Sequence, residues 1–120
     1  MGTYDDLKVF NLSYDLAKRI HIMTKRFPKD EIFGLTSQIR RSSRSVCVNV
    51  VEAFRKKIYP NHFKSKISDA DAECSETIIW LRMAKDFEFI NIDVFNELTK
   101  DYLEVGRMLG GMIKHPEKFI

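Results

Sequence analysis

The chain has 120 residues, 44% of them hydrophobic, and a formal net charge of +3. A chain of this length buries enough surface to hold a core without disulfides, so we expect one domain over residues 1–120 and not a disulfide scaffold. No apolar run reaches membrane-spanning length, and the polar, acidic N-terminus is not that of a signal peptide. We therefore expect a cytoplasmic protein with no membrane partner.

The charges are unevenly distributed along the chain. Residues 40–66 carry eight Lys or Arg and one Glu, a local charge of +7, whereas residues 69–104 carry ten Asp or Glu and three Lys or Arg, a local charge of −7. A basic segment can attract phosphate, and an acidic neighbour can pair with it inside an oligomer. Both interpretations stay open at this point.

Apolar residues recur at spacings of three and four along most of the chain, which predicts α-helices. Helix 1 is expected over residues 5–26, before Pro28, and helix 2 over residues 30–57. The β-branched run at residues 46–51 could be a strand, but the helical spacing continues through it and no partner strand exists elsewhere. We therefore interpret it as helix.

The second half of the chain predicts two further helices. Helix 3 is expected over residues 61–88, since Pro60 is tolerated in a first helical turn. Helix 4 is expected over residues 92–114, with Asn91 as a candidate N-cap. Four amphipathic helices with short connections predict an all-α, antiparallel up-down-up-down four-helix bundle.

Helix 2 presents two stripes when residues are placed 100° apart. One is an ordinary core stripe, made of Leu35, Ile39, Ser43, Val46, Val50 and Ala53. The other is apolar in the middle and cationic at both ends, and consists of Arg40, Arg44, Val48, Val51 and Arg55. A lone bundle needs only one apolar stripe, so the second is expected to meet another subunit, a nucleic acid, or both.

A cluster of cations on and after helix 2 is the candidate nucleic-acid site. Arg suits bidentate contact with phosphate, and Tyr59 and His62 could stack on exposed bases. The candidate residues are Arg40, Arg41, Arg44, Arg55, Lys56, Lys57, Lys64 and Lys66. The alternative is an oligomeric protein-binding adaptor with no nucleic-acid role, in which these cations pair between subunits with Asp69, Asp71, Glu73 and Glu76.

Several residues are assigned to self-association or to the core. The candidate oligomer interface is Cys47, Val48, Val51, Trp80 and Met83, because a Trp–Met patch would be unusual on a monomer. Asn49 lies toward the inner side of helix 2, where a hydrogen-bonded Asn would fix the register between helices. Cys47 and Cys74 both fall in apolar patterns and are expected to be reduced core thiols.

Catalysis is not predicted. The three His are far apart in sequence, no set of His, Cys, Asp or Glu has metal-site spacing, and no Gly-rich loop follows a strand. We expect a protein that is not an enzyme and needs no metal or cofactor.

The segment Gly-Leu-Thr-Ser-Gln-Ile-Arg-Arg-Ser-Ser-Arg-Ser-Val at residues 34–46, with residues 6–10, 24–28 and 49–54, resembles the 23S rRNA intervening-sequence proteins. It is more distantly similar to the accessory variability determinant of diversity-generating retroelements. The resemblance covers nearly the whole chain and implies a homopentamer of bundles whose basic surface binds RNA or DNA and a protein partner.

The sequence departs from the pattern of that family at three places. Cys47 stands where Pro is usual, so the helix irregularity expected there is absent. Ala53 replaces a Gly, and Ala72-Glu73 replaces a small Gly-Ser pair, which adds bulk and charge on helix 3. The fold implied by the resemblance is unaffected, whereas details of an interface between subunits are expected to differ.

Overall fold

The computed structural model describes residues 4–120, and four α-helices account for most of them. They are α1 at Lys8–Thr24, α2 at Leu35–Arg55, α3 at Pro60–Asp86 and α4 at Ile92–Lys114. Short 3-10 helices lie at Tyr4–Asp6, Lys29–Glu31 and Pro116–Lys118. Residues 4–120 form no β-strand, so the predicted all-α class is confirmed, including helix through residues 46–51.

The helices lie around the bundle in chain order. α2 packs against both α1 and α3, α3 packs against α4, and α4 closes the ring against α1. Contacts between α2 and α3 run in opposite directions: Ser42 contacts Thr77, whereas Glu52, ten residues later, contacts Lys66. The same opposite progression holds for Thr24–Arg40 and His21–Arg44 between α1 and α2, and for Cys74–Tyr102 and Lys85–Phe95 between α3 and α4. Adjacent helices are therefore antiparallel, as predicted.

The core is formed by one face of each helix. These faces coincide with the apolar stripes predicted from the sequence, because residues three and four apart share a helix face. The large side chains with no exposed surface include Leu16 and Ile20 of α1, Ile39 and Val46 of α2, Phe63 and Ile67 of α3, and Tyr102 and Leu109 of α4.

Small polar side chains let α2 lie close to its neighbours. Ser42 and Ser43 have no exposed surface, and the Thr77 hydroxyl donates a 2.8 Å hydrogen bond to Ser42 Oγ across the α2–α3 contact. Asn49, the residue predicted to fix the register, is half-buried, and its side chain forms no hydrogen bond with residues 4–120. The buried polar contact between α2 and α3 is thus made by Thr77 and by Ser42, which lies about two helical turns before Asn49.

The start of helix 2 differs from the prediction. Residues 30–34 were expected to be helical, but Lys29–Glu31 forms a 3-10 turn and α2 begins at Leu35. The reason is a side-chain cap: Glu31 Oε1 accepts a 3.0 Å hydrogen bond from the Leu35 amide. Glu31 therefore satisfies an N–H group at the helix start instead of extending the helix backwards.

Smaller differences occur at other helix ends. α1 begins at Lys8 and not at residue 5, because Tyr4–Asp6 is a separate 3-10 turn, and it ends at Thr24. α2 and α3 each end two residues early, at Arg55 and Asp86. α4 has the predicted bounds, and the Asn91 side chain accepts a 2.9 Å hydrogen bond from the Val94 amide, which confirms the predicted N-cap.

Candidate nucleic-acid interface on the second helix

Ion pairs between α2 and α3 neutralise two of the eight candidate cations within the same chain. Arg41 forms ion pairs with Glu73, at 3.1 Å, and with Glu76, whose hydrogen bond is the main cause of a raised Arg41 pKa. Lys66 pairs with Glu52 at 2.7 Å, and this contact raises the pKa of the Lys66 ammonium. Glu73 and Glu76 had been considered as partners in another subunit, and here they contact Arg41 of their own chain.

Arg40 and Arg44 have polar contacts with α1 but no ion pair within residues 4–120. Arg40 Nε donates a 2.7 Å hydrogen bond to Thr24 Oγ1, which in turn donates to the Ile20 carbonyl at 2.8 Å. This bond holds the start of the Arg40 guanidinium and leaves its two terminal nitrogens available. Thr24 is thus a positioning residue that the sequence pattern did not reveal.

The Arg44 contact sets the tautomer of a neutral His21. Arg44 Nη2 lies 3.3 Å from His21 Nδ1. A guanidinium can only donate, so Nδ1 accepts and the ring of a neutral His21 carries its proton on Nε2. Desolvation, followed by the positive charges of Arg40, Lys25 and Arg44, lowers the pKa of His21 below its ordinary value.

Arg40, Arg41 and Arg44, three of the four arginines of α2, line one concave surface, which we call the arginine concavity. Its volume is about 470 Å³, and its remaining lining residues are Ile32, Thr36, Ser37 and Ser45. No carboxylate is among the lining residues. The concavity therefore offers the guanidinium groups of Arg40 and Arg44 and several hydroxyl groups, whereas Arg41 in its wall is already paired with Glu73 and Glu76.

The other candidate cations lie at the far end of α2. Arg55 follows Arg44 by eleven residues, or about 16 Å along the helix axis. Lys57 Nζ lies 4.2 Å from the centre of the Phe54 ring, and the rings of Tyr59 and His62 are 5.7 Å apart. The basic face is therefore divided between two ends of α2 and is not one continuous cluster.

The predicted interface residues are also divided between two places. Val48 is 52% exposed and lies in an apolar groove of about 540 Å³ between α1 and α2. The side chains lining this groove, which we call the α1–α2 groove, are Tyr14, Ala17, Lys18, His21, Ile22, Arg44, Cys47 and Val48. Val51 is half-buried, and Cys47 is 6% exposed, at the edge of the core.

Trp80 and Met83 lie on α3 and not in the groove. Trp80 is half-buried against the core, and its Nε1 donates a 3.2 Å hydrogen bond to Glu76. Met83 is 38% exposed. The predicted interface included no residue of α1, whereas the groove is lined on that side by residues such as Tyr14 and Ile22.

The chemistry of the two cysteines is that of core residues. Cys47 and Cys74 are free and buried. Burial raises the pKa of both thiols, that of Cys74 to about 12, so neither is an activated nucleophile. Within residues 4–120, no group of three His, Cys, Asp or Glu is placed to hold a metal ion.

The fold and the site together define a class: a small all-α bundle with a basic surface on its second helix. Residues 5–111 match the family model of the 23S rRNA-intervening sequence protein, and the chain belongs to that family. Comparison with curated proteins gave no match. Among residues 4–120, no helix has the length and apolar character needed to cross a membrane.

A solved structure shows the same fold. The protein of unknown function from the S23 ribosomal protein family of Bacteroides thetaiotaomicron is 27% identical and superposes with a TM-score of 0.78. The alignment covers 88% of this chain and 98% of the other. The likeness spans the whole bundle of the neighbour, and its stated function is unknown.

Proposed function

We propose that this protein is a non-enzymatic, homo-oligomeric binding protein whose α2 basic face contacts the phosphate backbone of RNA or DNA. The observation that carries the proposal is the arginine concavity, where Arg40 and Arg44 have no carboxylate partner among residues 4–120. The family name and the resemblance, which implies a pentamer, agree with this proposal.

The geometry of the arginine concavity suits a phosphate group. Arg40 is anchored through Nε, so its terminal nitrogens are oriented before a ligand arrives and less rotamer entropy is lost on binding. Arg44 contributes a second guanidinium one helical turn away, and the Ser37 and Ser45 hydroxyls lie beside them. Arginine forks of this kind bind phosphate oxygens with charge-assisted hydrogen bonds.

The number of cations left without an ion pair determines how strongly the binding of nucleic acid should depend on salt. Six of the eight candidate cations form no ion pair within residues 4–120, namely Arg40, Arg44, Arg55, Lys56, Lys57 and Lys64. Each phosphate that a cation neutralises on a single strand contributes about −0.7 to the slope of log affinity against log salt concentration. Binding is therefore expected to be strong at low salt and to weaken steeply as salt rises.

A charge-reversal experiment tests the proposal. Arg40→Glu with Arg44→Glu is expected to abolish retention of bulk RNA at low salt, because it places two carboxylates in the arginine concavity. Arg82→Glu with Lys100→Glu is the matched control, since it changes the net charge equally at exposed positions of α3 and α4. Equal RNA retention by both double variants, with helix content and mass unchanged, would refute the proposed site.

A protein-binding adaptor is the second candidate, and the α1–α2 groove favours it. The groove joins exposed Tyr14, Ile22 and Val48 in one apolar surface, which is a feature of protein contact sites. If the first double variant lost its assembly together with its RNA, the arginines would belong to the contact between subunits and the adaptor would be the better account.

A further inference from the structure

Phe33 is the most exposed large hydrophobic residue of the described chain, at 92%. It lies in the turn between Lys29–Glu31 and α2. Leaving an aromatic side chain in water forfeits its burial, which is worth about 2 kcal/mol or more for a Phe. An aromatic residue held this far from the core is therefore unexplained by the packing of the bundle.

The other exposed aromatic residues of residues 4–120 have neighbours. Tyr14 contacts Phe10 and the Lys18 ammonium, Tyr59 contacts His62, and Phe87 contacts Phe89. Phe33 has no ring or cation contact with the residues that the structure describes. Its ring faces are thus open on both sides, which is the state that a stacking partner requires.

The position of Phe33 connects it to the arginine concavity. Its chain neighbour Ile32 is part of the wall of that concavity, and Ser37, in the first turn of α2, is another part. Phe33 consequently adjoins, along the chain, a wall residue of a site that holds Arg40 and Arg44 and has no carboxylate among its lining residues. A partner that fits both the arginines and the exposed ring is a molecule that carries phosphate groups and flat aromatic groups together.

We propose that the arginine concavity and Phe33 form a binding site for single-stranded nucleic acid, in which Arg40 and Arg44 hold the backbone and an unpaired base stacks on Phe33. This inference rests on the proposed function and specifies it. In a duplex the bases are stacked on one another and their faces are not accessible, so an isolated ring can stack only on an unpaired base. Aromatic stacking combined with backbone cations is how proteins bind single strands without reading sequence.

The test compares two RNAs with the same number of phosphates, an oligouridine and a duplex, by fluorescence anisotropy at one salt concentration. The unmodified protein is expected to bind the oligouridine more tightly. Phe33→Ala is expected to weaken oligouridine binding about tenfold, the typical contribution of one stacked base, and to leave duplex binding and the salt slope unchanged. Phe33→Trp should retain the oligouridine preference.

The control variant is Phe87→Ala, which removes another exposed ring, in the connection between α3 and α4, outside the arginine concavity. If Phe33→Ala binds both RNAs like the unmodified protein, the stacking role is refuted while the phosphate site survives. If Phe33→Ala changes the mass of the assembly, Phe33 is a contact between copies and the inference is wrong. If the unmodified protein binds neither RNA at low salt, the proposed function itself fails.

Discussion

His21 shows how a single residue of α1 tunes the basic surface of α2. Its Nδ1 accepts a hydrogen bond from Arg44, and desolvation, followed by the charges of Arg40, Lys25 and Arg44, lowers its pKa and favours the neutral ring. A protonated His21 would lose that hydrogen bond and add a fourth positive charge to the group. The residue thus keeps Arg44 in place only while it is neutral.

The lowered pKa predicts how stability depends on pH. Well above pH 6.5 His21 is neutral in both the folded and the unfolded chain, so its titration has no effect on stability. As pH falls below 6.5, the unfolded chain binds the proton first, and the free energy of unfolding decreases until the folded pKa is passed. His21→Gln should make this decrease shallower, whereas His62→Gln should not alter the part that His21 contributes. Urea unfolding at a series of pH values measures the free energy of unfolding as a function of pH. If His21→Gln lost stability as steeply below pH 6.5 as the unmodified protein, the interpretation would be contradicted.

At the scale of the helix, α2 was predictable where packing determines its structure and unpredictable where a cap does. Its core stripe from Leu35 to Ala53 follows from helical spacing alone. The first residue of α2 does not follow from the sequence. Asp30 and Glu31 fit the first turn of a helix as well as they fit a turn before it. Only the folded chain shows that Glu31 caps the Leu35 amide.

Gly34 tests this account of the helix start. A Cβ at residue 34 would lie 2.5 Å from Glu31 Oε1, so Gly34→Ala must displace the carboxylate and lose the cap. We expect the free energy of unfolding to fall by about 1 kcal/mol, the usual cost of a lost N-terminal cap. Gly110→Ala is the matched control, since nothing lies within 4 Å of its Cβ and Ala favours helix. That variant should gain about 0.5–1 kcal/mol. Equal stability of the two variants in urea unfolding would contradict the cap.

The candidate site was only partly predictable for a related reason. The sequence places eight cations on and after helix 2, but it does not specify which neighbouring side chains reach them. That depends on the register of α3, which brings Glu73 and Glu76 to Arg41, and on α1, which brings Thr24 to Arg40. The exposure of Phe33 was not predicted, because Ile32 and Phe33 fall inside the range that was predicted as helix 2 and are both apolar.

At the scale of the whole molecule, the fold divides the arginines at the start of α2 into one that is ion-paired within residues 4–120 and two that are not. The acidic α3 neutralises Arg41 on one side of α2, and the other side keeps Arg40 and Arg44 beside the apolar α1–α2 groove. In a symmetric assembly that used the groove, several copies of the arginine concavity would lie close together. Linked weak sites then bind a long polyanion far more tightly than one site does.

The central claim is that this protein assembles and presents its α2 cations to nucleic acid. Light scattering on the purified protein tests it most directly, with and without bulk RNA, at low and high salt. We predict a fixed multiple of 14.1 kDa that gains RNA at low salt and releases it at high salt. Val48→Asp should lower that multiple, and Leu103→Asp, a matched exposed position on α4, should not. A protein that stays at one chain mass, or an assembly that gains no RNA at any salt concentration, would contradict the claim.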